Sequence, residues 1–264
     1  MSIKALSIAA TGMNAQQTNL EVVANNIANI NTTGFKRARA EFTDLMYETL
    51  RNHGVSRQAG LDVVPEGGKL GLGVKLAAIR DIHVQGVLNQ TGNPLDVALN
   101  GGGFFQLTDP NGNTVYTRAG AFNLNQNGQL VNLNGYLLQP QITVPTDAQS
   151  ISISQSGQVS ATLDGQTAPS VLGQLTLSTF PNEAGLEPLG DNIFAATDAS
   201  GTATTGVAGT TNFGTIEQGY LEASNVDAIK EITAMIQAQR AYEMNSKVIK
   251  AADEMSSVVT QSLR

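Results

Sequence analysis

Side chains able to do covalent or acid–base chemistry are few in this sequence and badly placed for it. His53 and His83 are the only histidines. They fall in stretches that read as a loop and a strand, and no third ligand stands at a spacing that would complete a zinc site. The absence of cysteine removes thiol catalysis, disulfides and thiolate metal sites together. A phosphate-binding loop ending at Gly68-Lys69 would need glycine where Val63 stands and Ser or Thr where Leu70 stands. Gly71-Leu72-Gly73 runs into Lys75-Leu76, which is not a dinucleotide fingerprint. Gly101-Gly102-Gly103 could cradle an oxyanion with its amides, but no Ser-His-acid set accompanies it. A tight turn that admits Phe104 and Phe105 to a core is the better reading. Carboxylates are scattered, with no pair set for glycoside or peptidoglycan cleavage. The reading is of a protein that is not an enzyme and has no cofactor and no bound metal.

The chemistry that does recur is hydrogen bonding by amides, and it sits on a helix. Leu6, Met13, Leu20 and Ile27 recur every seven positions, with Ile3, Ala10, Gln17 and Ala24 in a second column, the pattern of a heptad seam. Only Gly12 and no proline interrupts Met1 to Asn31, and Thr32-Thr33-Gly34 supplies the stop. The other face carries Asn14, Gln16, Asn19, Asn25, Asn26 and Asn29. Neutral amides donate and accept at once, so identical helices can lie side by side without the repulsion of like-charged rows. A second such stretch, Ser224 to Leu263, also lacks Gly and Pro. It places Met235, Tyr242, Ile249 and Leu263 in one column and Ile232, Ile236, Ala252 and Val259 beside it, with Ser224 and Asp227 as a capping box. A helix of this length, about 60 Å at ~1.5 Å per residue, outruns what one small domain can bury.

The bounds fit this emphasis. A chain of 264 residues with 41% hydrophobic content can build a core. Net charge −7 and a pI near 4.8 argue against nucleic acid or an anionic membrane surface as partner. No apolar run reaches the ~20 residues of a membrane span, and the N-terminus lacks the continuous apolar region of a cleavable signal.

Between the helices the texture is β. Phe35-Lys36-Arg37-Ala38-Arg39-Ala40 is the one basic cluster and reads as a solvated helix end or a loop beside a partner's carboxylates. Glu41 to Leu50 reads as a short amphipathic turn or helix. A Gly-rich excursion follows to Gly73, and a strand then runs from Val74 through Ile79 towards Val84. Asn100-Gly101, Asn111-Gly112, Asn127-Gly128 and Asn134-Gly135 are hairpin signals of the type I′ kind. Strands are expected at Ile142-Thr143-Val144, Ile151-Ser152-Ile153, Gln158 to Leu163 and Val171 to Thr179, and a surface loop over Ala195 to Thr215. Asp147 and Asp164 are the only charges between Ala121 and Phe180, a hint that this surface meets neighbours. The fold class is α+β: long N- and C-terminal helices form a coiled-coil-like pair with an inserted all-β domain. The expected divisions are 1–34 paired with 224–264, a connecting segment 35–95, and a β-rich outer domain 96–220.

The stretches Ala9 to Met13 and Ala24-Asn25-Asn26-Ile27-Ala28-Asn29 through Gly34-Phe35-Lys36-Arg37 resemble the N-terminal signature of the bacterial flagellar rod and hook family. Ser224 to Asp227, Met235 to Glu243 and Asp253-Glu254-Met255 resemble its C-terminal signature. Gly101 to Phe105 with Tyr116 to Phe122 is similar to its shared β-domain, so the resemblance spans nearly the whole chain. Length and the Arg51 to Gly73 excursion are most similar to the distal-rod branch; another rod or hook paralogue is the alternative, ahead of a secreted cell-wall adhesin or hydrolase. The resemblance implies a structural subunit of the basal body, exported through the flagellar apparatus without a cleaved signal and polymerised helically across the periplasm. Its partners would be copies of itself, the proximal rod proteins, the hook protein, the surrounding basal-body rings and the export apparatus, with no nucleic acid and no membrane insertion. The self-assembly interface is expected at Leu6, Met13, Leu20 and Ile27, at the amides Asn25, Asn26, Asn29, Asn225 and Gln239, and at Ile232, Met235, Arg240, Tyr242 and Ile249. The excursion is expected to lie as a strap across neighbouring subunits and stiffen the tube.

Overall fold

The computed structural model describes residues 2–51, 67–165 and 168–262; residues 52–66, most of the expected strap, lie outside them. The chain forms two compact units. The first comprises residues 1–27, 38–80 and 228–264, the second residues 28–37 and 81–227.

The first unit holds both long helices, α1 (Ser2–Ala28) and α2 (Ala228–Ser262). Two contacts set their relation. A Cβ added to Gly12 would come within 2.8 Å of the Asn245 amide, and Asn26 Nδ2 donates to Glu231 Oε2 at 3.0 Å. The same number of residues separates the two contacts on each helix but in opposite chain directions, so the helices run antiparallel there. Small residues on this line, Ala9, Gly12 and Ala15 against Ala238 and Ala252, let the backbones approach closely. The unit also carries two two-stranded ribbons, Ala38–Asp44 with Val74–Asp81 and Tyr47–Arg51 with Gly68–Gly71. The helical reading of Glu41 to Leu50 is thereby corrected. Ladder bonds to a segment some twenty residues downstream decide the conformation, and local periodicity does not register them.

The second unit is built on Phe104–Thr108, which pairs with Thr114–Thr117, Leu137–Gln139 and Thr176–Thr179. Alternation sends Phe105 and Leu107 into the larger core, with Leu99, Phe122, Leu138, Val159, Leu177 and Ile216. Phe104 goes to the opposite face, with Tyr116, Phe180, Leu186 and Phe194. Gly101 and Gly103, at φ 113° and 127°, make the turn that delivers both rings. A smaller sheet, Ala148–Ile153, Gln158–Leu163 and Ser170–Gln174, stands beside it. The expected loop over Ala195 to Thr215 contains a strand, Thr204–Val207, paired with Thr176–Thr179. Ile142-Thr143-Val144 forms only an isolated bridge, Thr143 to Gln129.

The hairpin tips differ from the type I′ reading in a systematic way. At Asn111-Gly112, Asn127-Gly128 and Asn134-Gly135 the glycine has positive φ and the asparagine does not. Each glycine donates its N–H three residues back, to Asp109 O, Asn125 O and Asn132 O, which is a type I turn closed by a left-handed glycine. The cause is the residue two positions before each Asn: the Asp109, Asn125 and Asn132 side chains accept from the N–H groups of Asn111, Asn127 and Asn134. These Asx turns select type I.

Candidate assembly interface

α2 has one buried face and a broad exposed one. Glu231, Ala238 and Ala252 are buried; Met235, Ala241, Asn245 and Ile249 lie on the same side, half-buried. The rest of the helix surface leaves Ile229, Ile232, Ile236, Met244, Val248, Met255 and Val258 exposed, Ile229 by 77%, interspersed with exposed Lys230, Arg240, Glu243, Lys247, Lys250 and Glu254. Seven large apolar side chains left in water on one 35-residue helix make this surface a candidate for interaction.

On α1 the deeply buried residues are Ala9, Ala15, Val22, Val23 and Asn26. Leu6, Met13, Leu20 and Ile27 sit on the flank, half-buried, and Asn25 is exposed. Asn26 bonds to Ala38 through both amide atoms, accepting from its N and donating to its O at 2.9 Å each. The same amide reaches Glu231. Asn29 Oδ1 accepts from Thr32 Oγ1 at 3.1 Å in the turn after α1. On α2, Gln239, Arg240 and Tyr242 are exposed. The ribbons add exposed Met46, Tyr47, Leu50 and Ile79, and two-stranded ribbons are marginal in water unless something covers them.

In the second unit, the segments that leave α1 and enter α2 meet on a buried carboxylate. Glu222, with a side chain 0% exposed, takes Lys36 Nζ at 2.5 Å and Arg118 Nε at 3.0 Å. It also accepts Gly86 N at 2.9 Å, and its backbone carbonyl accepts Gly34 N at 2.8 Å. Arg118 Nη1 donates to Gly101 O and Gly103 O at 2.9 and 2.6 Å, and Lys36 Nζ donates to Val84 O at 3.0 Å. Three residues on, Asn225 accepts Arg37 N at 2.7 Å and donates to Ile82 O and Val84 O at 2.7 and 2.9 Å. Ser224 Oγ accepts from Val226 N and is not a helix cap: α2 starts four residues later, because this tether holds 222–227 extended. Lys36 is 3% exposed, which corrects the solvated reading of the basic cluster. Burial pulls its ammonium below the ordinary value, with Glu222 offsetting part of the effect.

His83 lies edge-on to Phe104 and Phe194 at 5.5 and 5.3 Å between centroids. It lines a cavity of about 240 Å³ with Gln85, Gly101, Gly102, Phe104, Arg118 and Glu183. Burial first, then the Lys36 and Arg118 charges, lower its pKa to about 4. Its buried Nδ1 has no hydrogen-bond partner among the described residues. Burial raises the Glu183 carboxyl, opposed by Arg118 and Lys36. Among the described residues no group of three or more His, Cys, Asp or Glu is placed to hold a metal, and no helix is long and apolar enough to cross a membrane.

Two helical ends and a β-region of this kind are the parts matched by three family patterns. Residues 6–36 match the flagella basal body rod protein family. Residues 98–161 match the D1 domain of the flagellar hook protein FlgE/F/G, and residues 217–262 the C-terminal region of the flagellar basal body rod FlgEFG protein. The flagellar basal-body rod protein FlgG of Agrobacterium fabrum is 59% identical over 262 residues, covering 99% of this chain and 100% of that protein. The FlgG protein of Caulobacter vibrioides is 52% identical over 259 residues, covering 98% and 99%. The chain belongs to the flagellar basal-body rod protein family. The flagellar hook protein FlgE of Salmonella typhimurium is 27% identical over 411 aligned positions, covering 94% of this chain and 97% of that protein. The rod family is structural and not enzymatic.

Sequence reasoning placed the helices but missed the Glu222 cluster. Lys36, Arg118 and Glu222 are far apart in sequence and each reads singly as a surface charge. The one available signal was that Lys36-Arg37, Arg118 and Glu222 each sit inside or beside a family signature.

Proposed function

We propose that the chain is the distal-rod subunit: it polymerises helically through its terminal helices into the drive shaft that carries motor torque to the hook. The observation that carries this reading is the set of large apolar side chains left exposed from Ile229 to Val258 along α2, while its buried face already lies against α1. They are spread over a helix about 52 Å long, and a neighbouring copy laid along it would bury them and pair the charges that stand among them. The half-buried column Leu6, Met13, Leu20 and Ile27 flanks the intrachain contact and forms the coiled-coil-like edge that meets a neighbouring copy. The exposed amides and Arg240 supply hydrogen bonds and an ion pair at that contact.

Identity of 59% to a rod protein against 27% to a hook protein supports the rod over its paralogue. Its partners are itself, the proximal rod proteins, the hook protein, the surrounding rings and the export apparatus, and it spans the periplasm after export without a cleaved signal. The test is assembly followed by electron microscopy and sedimentation. The parent chain forms tubes; Ile236→Asp and Leu20→Asp stay dispersed with an intact β-sheet spectrum, because a carboxylate buried at each repeat has no partner. Tubes from both variants would remove these faces from the interface. A parent that stays dispersed with rod partners present would remove the function.

A further inference from the structure

Glu222 and Asn225 are doing something that core packing does not require. Together they gather five stretches of the second unit: 34–37, 82–86, 101–103, 118 and their own. Two of these stretches are the covalent routes into the helices, one leaving α1 at Ala28 and one entering α2 at Ala228. The fit leaves no room for drift. A Cβ at Gly86 would stand 2.0 Å from Ala223 O, and one at Gly34, where φ is 72°, would stand 2.7 Å from Ala119 N. A buried ion cluster is a poor device for stability alone, since apolar groups of the same volume serve as well. What it adds is geometry and brittleness. The partners hold in one arrangement, and separating any of them strands a buried charge.

We propose that the Glu222 cluster with Asn225 is a mechanical clamp that keeps the segment leaving α1 and the segment entering α2 seated together on the β-region under load. The proposal rests on the reading of the chain as a torque-bearing rod subunit. Force along either helix enters the β-region through residues 28–37 or 222–227. Without the clamp, the first is held by the Gly34 to Glu222 backbone bond, Asn192 Nδ2 on Thr33 O and Ile82 N on Arg37 O, and the second by Ala223 N on Val87 O and the short ladder of Tyr220–Glu222 with Leu88–Gln90. With it, they peel only when the whole cluster opens.

Lys36→Met tests this while sparing the fold: it keeps much of the stem and leaves Glu222 balanced by Arg118. Asn225→Ala removes the second tether without touching the ions. In the purified full-length chain, amide hydrogen exchange at Gly34 and Arg37 rises at least tenfold in either variant, while Phe104–Thr108 and Thr114–Thr117 exchange as in the parent. In cells carrying either variant, flagella assemble in parental number and rotate at parental speed at low load, but slow or detach when a tethered cell imposes high load. Unchanged exchange at 34–37 overturns the clamp, as does exchange that rises in step with the central strands. Faster exchange with parental rotation at high load overturns the load-bearing role alone. Failure of the parent chain to form rods would instead overturn the rod reading, and the load-bearing role with it.

Discussion

His83 shows how one residue can set the acid limit of the β-region. Its folded pKa of about 4 lies below its unfolded value of 6.5, so between those values the unfolded chain binds the extra proton. The stability this contributes is fully present above pH 6.5 and is lost as pH falls towards 4, at most roughly 3 kcal/mol at 1.36 kcal/mol per unit. The charges acting on the ring are Lys36 and Arg118, which oppose its protonation, and Glu222, which favours it; Glu183 shares its cavity. Glu183 acts with the opposite sign: its raised pKa gives stability that is present at low pH and lost as pH rises through the folded value. Urea melts of the full chain are expected to show a midpoint that falls from pH 7 to pH 4.5. His83→Phe, which keeps an aromatic ring against Phe104 and Phe194, is expected to remove most of that fall. An equal pH slope in parent and variant would assign the acid sensitivity elsewhere. None of this was legible in the sequence, where His83 is one aromatic residue in an alternating strand. Its burial depends on Phe104 and Phe194, which arrive from distant strands.

At the scale of elements, both helices were legible and the faces that meet between them were not. Heptad spacing located α1 and α2 within a few residues, because apolar periodicity and the lack of Gly and Pro are local properties. Which apolar line faces which neighbour depends on the other helix. The small residues that pack closely, Ala9, Gly12, Ala15 and Ala238, are quieter in a periodicity count than leucine. The turns illustrate the same limit at shorter range: Asn-Gly located three tips, where the Asx residue two positions earlier chose the turn type, but Asn100-Gly101 closes no hairpin, since Val97–Asn100 pairs with Thr215–Gln218. The two faces of α2 therefore predict opposite phenotypes. Ala238→Leu, on the buried line, is expected to overpack the helix pair and destabilise the first unit by about 1–3 kcal/mol, seen as faster protease cleavage within α2 of the dispersed chain. Ile232→Ser, on the exposed line, is expected to leave cleavage unchanged and raise the concentration needed for tubes several-fold. Asn26→Ala belongs with the first class, since it strands Ala38 N and O and loosens Glu231. If Ile232→Ser accelerated cleavage as much as Ala238→Leu, the two faces would not be functionally distinct.

At the scale of the molecule, the partition of the chain predicts a partition of behaviour. The second unit contains a large aliphatic and aromatic core and a second aromatic cluster of its own, and both tethers to Glu222 lie within it. The exposed apolar side chains from Ile229 to Val258 belong to α2 in the first unit. A chain reduced to residues 28–227 keeps every residue of that core and of the clamp while losing α1 and α2. It is expected to unfold in one cooperative transition within about 3 °C of the β-region transition in the full-length chain, a shift of the size that roughly 1 kcal/mol produces in a domain of this length. It is also expected to sediment as a single small species at concentrations where the full chain forms tubes. Adding it to assembling full-length chain should neither seed nor cap polymer, since both activities need the helical faces it lacks. Capping by the fragment would place an essential contact in the β-region or the ribbons, and a broad, non-cooperative melt would mean that the helices complete the core.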